Sequence, residues 1–224
     1  MDDGLTPPSP ESGACAGAPS RRRDREATTE ALLDAAKCTF AARGFDAATT
    51  REIAAGAGVN EQLIQRYFGG KTGLLLAVVE RFGKAEGQGC PLPPPGDCLA
   101  TDIGTFLHQQ VKLTWERRDL AKVVLDRALV DPAVAAEMSR TLSETRIPCL
   151  LARLETFRAR GLIDPAADLP NIAAGIAALS FSLGFLEQVV FARNPEGVCA
   201  VMRTLAHTIA RGLAPRPAPP RTGV

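Results

Sequence analysis

An all-α fold is predicted, with an N-terminal three-helix head that contains a helix-turn-helix and a larger C-terminal helical bundle. Three observations predict it. Apolar residues recur through most of the 224-residue chain at the spacing of one helix face. The stretch TREIAAGAGVNEQLIQRYF, residues 50–68, puts small, glycine and apolar residues where two closely crossing helices need them. The segment GQGCPLPPPGD, residues 87–97, has four prolines within five positions and forbids helix. The division expected is a disordered tail over 1–20, a helix-turn-helix domain over 21–70, a helical bundle over 71–213 and a second disordered tail over 214–224.

The elements follow in order. Residues 1–20 are acidic and rich in Pro, Gly and Ser, a composition that buries too little apolar surface to fold. A basic run, Arg21, Arg22, Arg23 and Arg25, comes next; it is either a solvated charge run or an arm that tracks phosphates or enters a minor groove. The first helix is expected from about Asp24 to Arg43, with Leu33, Ala36 and Phe40 on one face and Gly44 as its stop.

Ile53, Ala54 and Ala57 then mark a short helix that Thr50 can cap, and Leu63, Ile64 and Tyr67 a second that Asn60 can cap. Gly58 lies between them, where the turn needs a residue that tolerates positive φ. With the apolar faces packed together, Asn60, Glu61, Gln62, Gln65 and Arg66 are left on the exposed side of the second helix. Amides there can pair with adenine and Arg with guanine in a major groove. Lys71 begins a fourth helix carrying Leu74, Leu75, Val78, Val79 and Phe82, and a lysine with free amides at a helix start suits a phosphate.

Beyond the Pro-rich segment everything reads as helix. Leu99, Ile103, Phe106, Leu107, Val111 and Trp115 stripe one helix, Leu120, Val123, Val124 and Ala128 another, and Val134, Met138 and Leu142 a third after Asp131-Pro132. Pro148 interrupts the third, either bending it or joining two shorter helices that run through Leu154 and Phe157 to Gly161. The next helix is apolar on more than one side. Ile172, Ile176, Leu179, Leu183, Leu186 and Val190 form one stripe, and Ala174, Ala178 and Ser182 form a row of small residues. Asn194-Pro195-Glu196 is a strong helix start for the last stripe, Val198, Val201, Met202, Leu205 and Ile209.

Residues 49–75, TTREIAAGAGVNEQLIQRYFGGKTGLL, together with ALLDAAKCTFAARGFDAATT before them, resemble the DNA-binding region of the TetR family of bacterial transcriptional regulators over roughly residues 25–80. The aromatic pair Tyr67-Phe68, the following Lys71 and the Gly44-Phe45 helix end carry the likeness. Two positions depart from it: Gln65 stands where an aromatic is common, and Gly70 where a Ser often precedes the lysine. The resemblance implies a homodimer that binds a palindromic double-stranded DNA operator, most often as a repressor released by a small apolar effector, and a cytoplasmic location is expected from the lack of a membrane-length apolar run or signal-peptide pattern. The DNA-facing set is then Arg22, Arg23, Thr49, Thr50, Arg51, Asn60, Glu61, Gln62, Gln65, Arg66, Tyr67 and Lys71. Phe106, Trp115, Met138, Phe157, Phe181 and Phe185 either line an effector pocket or are plain core. Ala174, Ala178, Ser182, Val201 and Leu205 are expected at the dimer interface, where the family pairs two helices with their copies, unless they belong to an ordinary monomer core. The runner-up function is a constitutive DNA-binding protein without a ligand.

Other classes find little support. Lys plus Arg number 26 against 25 Asp plus Glu, so binding to nucleic acid must come from a local patch. No uninterrupted apolar run approaches a membrane span, and the N-terminus lacks a signal-peptide pattern. The six cysteines show no CxxC and no Cys/His cluster; they read as buried, inert thiols, with Cys90 and Cys98 the alternative redox pair. No cofactor or metal is expected. GGKT at 69–72 lacks the first glycine and the preceding strand of a phosphate-binding loop. SFSLG around Ser182 lacks the first glycine of a nucleophile elbow, and His108 and His207 have no ligand partners at useful spacing. An enzyme is not indicated.

Overall fold

The computed structural model describes residues 18–87 and 92–215. Among them there is no strand, and the order is α1 (Ala18–Ala47), α2 (Thr50–Gly56), α3 (Gln62–Phe68), α4 (Lys71–Gly87), α5 (Leu99–Glu116), α6 (Arg118–Ala128), α7 (Pro132–Glu144), α8 (Arg146–Ala159), α9 (Leu169–Phe181), a π-helical continuation Ser182–Val190, and α10 (Pro195–Leu213). The all-α reading stands. The tail expectations for 1–17 and 216–224, and residues 88–91 of the Pro-rich segment, lie outside the described residues.

Local chemistry explains most boundaries. Helix α1 begins at Ala18, inside the expected tail, and its regular course ends at Gly44 (φ 76°). Gly58 adopts φ 67° in the turn after α2, a conformation that would strain a side chain bearing Cβ. Asp131 accepts a hydrogen bond from the Ala133 amide ahead of Pro132, and Asn194 one from the Gly197 amide ahead of Pro195. The break beside Pro148 falls at Thr145 (φ −118°, ψ −68°). Two short helices are therefore joined there, and Pro148 sits in the first turn of α8, where its missing N–H has no helical partner to lose.

Two hydrophobic cores form, and the first crosses the domain boundary expected at residue 70. Leu32, Ala36 and Phe40 of α1, Ile53 of α2 and Ile64 of α3 pack with Leu74, Val78 and Val79 of α4, but also with Leu120, Val123 and Val124 of α6 and Val134 of α7. The second core joins α5, α8, α9 and α10 through Ile103, Phe106, Leu107, Leu150, Leu154, Phe157, Ile176 and Met202. The connection after α4 is tied to that second body. Arg153 of α8 donates 2.9 Å hydrogen bonds to the Pro93 carbonyl and to Asp102 of α5, and Arg160 one of 2.7 Å to the Gly96 carbonyl.

Leu169–Val190, 22 residues, is by length and composition able to cross a membrane, so the absence of a span holds only for uninterrupted apolar runs. Ala173, Ile176, Leu183 and Phe185 of this helix are buried in the chain, as in a core helix. Its other side is open: Leu186 is 38% exposed and Val190 55% exposed.

Candidate functional site

The head presents a short helix on a stiff mount. Thr49, one residue before the cap expected at Thr50, forms a capping box: its side chain accepts from the Glu52 amide, and the Glu52 carboxylate accepts from the Thr49 amide. Arg43 of α1 pairs with Glu52 at 2.8 Å. The Thr50 hydroxyl instead reaches across the turn and donates to the Glu61 carboxylate at 2.5 Å. Asn60 Oδ1 accepts from the Gln62 amide at 2.8 Å, organising the start of α3. Ile64 is buried against the core, while Leu63, Tyr67 and Phe68 are half-buried.

That packing leaves Gln62, Gln65 and Arg66 exposed on one side of α3, with Asn60 and Glu61 exposed at its start and Thr49 and Arg51 exposed at the start of α2. The spacing of 62, 65 and 66 is that of a single helix face. The amide and guanidinium groups there have the donor and acceptor pattern of a base reader. Glu61 is different: its carboxylate is engaged with Thr50, which makes it a brace between the two helix starts. Arg22 and Arg23 are exposed on α1, Arg22 pairing with Glu26 at 2.9 Å. Arg25 holds its guanidinium 5.1 Å from the centre of the Tyr67 ring, so the basic run reaches the C-terminal end of α3.

Lys71 corrects the sequence reading. Its ammonium donates to the carbonyls of Phe45 (2.8 Å), Ala48 (3.0 Å) and Asp46 (3.3 Å) and lies 4.5 Å from the centre of the Phe45 ring. All three N–H donors point at the chain where α1 ends, so Lys71 locks α1 to α4 and is not available to a phosphate.

A cavity of about 450 Å³, walled by residues of α4 to α9, borders the first core, within the size range of small-molecule sites. Its wall includes Val79 and Gly83 of α4, Leu113 and Thr114 of α5, Arg117, Leu120 and Val124 of the α5–α6 region, Met138 and Thr141 of α7, Arg146 of α8, and Ala178 and Phe181 of α9. Of the six residues assigned to a pocket, Met138 and Phe181 line it. Phe106 and Phe157 do not: each is fully buried in the second core, where its area is worth more against other side chains than on a cavity wall. Trp115 is 43% exposed because α5 turns its stripe toward Gln110 and Thr114 instead, and the Arg118 guanidinium covers the indole at 4.5 Å. Phe185 is buried and stacks on Phe181 at 5.5 Å, one layer behind the wall. Arg117 and Arg146 were missed, since nothing in their local sequence distinguishes them from other surface arginines.

The dimer set is also divided. Ala178 is on the cavity wall, whereas Ala174, Ser182, Val201 and Leu205 are half-buried in the single chain. Among the cysteines, Cys38 and Cys98 are exposed and Cys199 half-exposed, and Cys149 is disulfide-bonded, so the expectation of buried, inert thiols fails. Hydrogen bonds at Thr101 hold the Cys98 thiol below its usual range. Cys90 lies outside the described residues. His108 and His207 are exposed, and no metal-holding group of His, Cys, Asp or Glu occurs among the described residues.

A glycine-turned helix pair with an exposed amide-rich second helix, mounted on a larger helical body, defines a helix-turn-helix DNA-binding protein. Residues 32–78 match the family described as "Bacterial regulatory proteins, tetR family", and solved regulators of that family share the rest of the architecture. The HTH-type transcriptional repressor Rv3405c of Mycobacterium tuberculosis is 29% identical over 176 residues, 78% of this chain and 80% of that protein. A TetR-family transcriptional regulator from Pectobacterium atrosepticum has the same fold at TM-score 0.66 and 20% identity, over 88% of this chain and 99% of its own. FadR of Bacillus subtilis, solved in complex with stearoyl-CoA, aligns at TM-score 0.64 and 16% identity over 82% of this chain and 98% of its own. The family and these relatives are transcriptional regulators and not enzymes.

Proposed function

We propose that this regulator is a cytoplasmic homodimeric repressor whose two α3 helices enter successive major grooves of a palindromic operator, and that a small apolar molecule in the cavity releases it. One observation carries the ligand-responsive part. Val79, Leu120 and Val124 belong both to the cavity wall and to the core that holds the head. A molecule that moves these side chains moves the support of α1 and α3 with them, and closely packed cores respond by discrete shifts. The head-to-head distance of a dimer then changes, and heads that no longer fit grooves about one helical turn apart lose the operator. The stearoyl-CoA held by FadR supports an apolar effector for this fold.

The open side of Leu169–Val190, with Leu186, Val190 and the 65% exposed Phe191, supports the dimer: an apolar helix face of this kind is a site for a second subunit. The experiment is fluorescence anisotropy of the full chain on duplex DNA from upstream of its own gene, with and without apolar compounds of cavity size. Specific binding that a compound weakens supports the proposal; specific binding that no compound of a broad apolar set alters replaces it with a constitutive DNA-binding protein.

A further inference from the structure

We propose that Arg127, at the end of α6, is a positioning residue for operator recognition: by clamping the Phe45 ring it sets the angle at which the head leaves the body, and with it the half-site spacing that a dimer accepts. This rests on the reading of the protein as a dimer on a two-fold operator, and it adds a residue outside the α3 face to those that select the site. The clamp closes on the short connection between α1 and α2. Gly44 (φ 76°) turns the chain out of α1, and residues 45–48 lead directly to the capping box at Thr49 that starts α2. Whatever fixes this connection fixes α2 and, across the glycine turn, α3. Lys71 holds it from α4 through the Phe45, Asp46 and Ala48 carbonyls. Arg127 holds it from α6: its guanidinium lies 4.7 Å from the centre of the Phe45 ring, the same ring that has the Lys71 ammonium at 4.5 Å.

Arg127 is itself fixed. Its Nη2 pairs with Asp131 at 3.0 Å, and the other oxygen of that carboxylate accepts from the Ala133 amide at the start of α7. One guanidinium thus joins the end of α6, the cap of α7 and the head's connection, and Asp131 offsets the repulsion between two cations at one ring. The Nε of Arg127 is buried and has no hydrogen-bond partner among the described residues. An unmet donor costs stability, and an apolar side chain of similar volume fills such a site without that cost. Stability alone therefore does not call for an arginine here. Placement does, because a cation over a ring has a preferred position that an aliphatic chain lacks. Two heads that each yield by half of the rise of one base pair, about 3.4 Å, change the preferred spacing by a full base pair.

The test selects duplexes from a random pool with the full-length wild type and three variants, then measures each protein by fluorescence anisotropy on the enriched two-half-site duplex and on a duplex carrying one half-site. Arg127→Met should keep the half-site sequence but shift the enriched spacing by a base pair or more, or accept several spacings. Its advantage for the wild-type two-half-site duplex over the single half-site should fall about tenfold or more, because paired binding is lost when geometry forbids both contacts at once. Arg127→Lys keeps the cation and should keep the wild-type spacing. Asp131→Asn keeps a side-chain acceptor for the Ala133 amide while removing the charge that orients Arg127, and should broaden the spacing; it decides the matter if Arg127→Met does not fold. The advantage is a ratio within one variant, so a smaller folded fraction lowers both affinities and leaves it unchanged. Wild-type spacing and advantage in Arg127→Met, or in Asp131→Asn where the first variant is unfolded, would overturn the inference and leave the two-fold operator standing. A wild type that enriches single half-sites at no fixed spacing would overturn the dimeric reading together with the inference.

Discussion

Lys71→Met separates a structural lysine from a DNA-contacting one, because the two roles predict opposite pairs of results. In the structure the ammonium gives one hydrogen bond to each of three carbonyls, and two of these belong to the buried residues Phe45 and Ala48. A hydrogen bond to a charged group contributes about 1.5–3 kcal/mol net. The Asp46 carbonyl is exposed and recovers water, so its loss costs little. The Phe45 and Ala48 carbonyls recover water only in part, and the cation over the Phe45 ring adds about 0.5–1 kcal/mol. Methionine keeps most of the apolar stem. A loss of about 2–4 kcal/mol in unfolding free energy follows, measured by urea denaturation of the full chain. Binding to DNA should keep its salt dependence, because no phosphate contact is removed. A lysine on a phosphate would instead leave stability within about 0.5 kcal/mol and lower the slope of log K against log salt by about 0.9. That second pair of results would refute the assignment of Lys71 to the α1–α4 junction.

Three further substitutions probe the body of the protein. Gly83→Ala would overlap the Thr141 side chain of α7 and should cost about 1–3 kcal/mol of stability, most of it recovered in the double variant with Thr141→Ala; additive losses in urea denaturation would show that the α4–α7 approach is not the cause. Arg153→Met leaves Asp102, 7% exposed, without its bidentate partner and should cost about 3–5 kcal/mol, with Arg153→Met/Asp102→Leu less destabilised than the single variant; a single-variant loss below about 1 kcal/mol would contradict this. Leu186→Glu places a charge on the exposed side of Leu169–Val190 and should give a folded monomer by sedimentation, whereas a wild type that is already monomeric at micromolar concentration would remove the dimer.

What the sequence makes legible is local. Asp131-Pro132 and Asn194-Pro195 begin helices because a side-chain acceptor and a proline act within one turn, and Gly58 permits the head's turn by its own backbone freedom. The exposed face of α3 is legible for the same reason, since three residues at 62, 65 and 66 share a side of a helix whose buried residue, Ile64, is plain. Lys71 is not legible, because the carbonyls it meets come from residues 45–48 and nothing in GGKT points back to them. The aromatic residues are read correctly as apolar, but a stripe does not say whether it faces a full core or an empty one: Phe106 and Phe157 fill the second core, while Phe181 borders the cavity. The cavity gathers side chains from six helices, and the first core joins α6 and α7 to the head in a way the Pro-rich segment conceals. Trp115 illustrates the remaining error, a period that fits the stripe but drifts to the surface at the helix end.

The central claim is that α3 reads DNA sequence through Gln62, Gln65 and Arg66, and selection from a random duplex pool by the full-length protein tests it most directly. The wild type should enrich a two-fold symmetric site with half-sites about one helical turn apart, or a multiple of it. Gln62→Ala and Gln65→Ala should each relax preference at one or two base pairs per half-site, by about 1–3 kcal/mol. A wild type that enriches no sequence, or glutamine variants that enrich the wild-type site unchanged, would contradict the account.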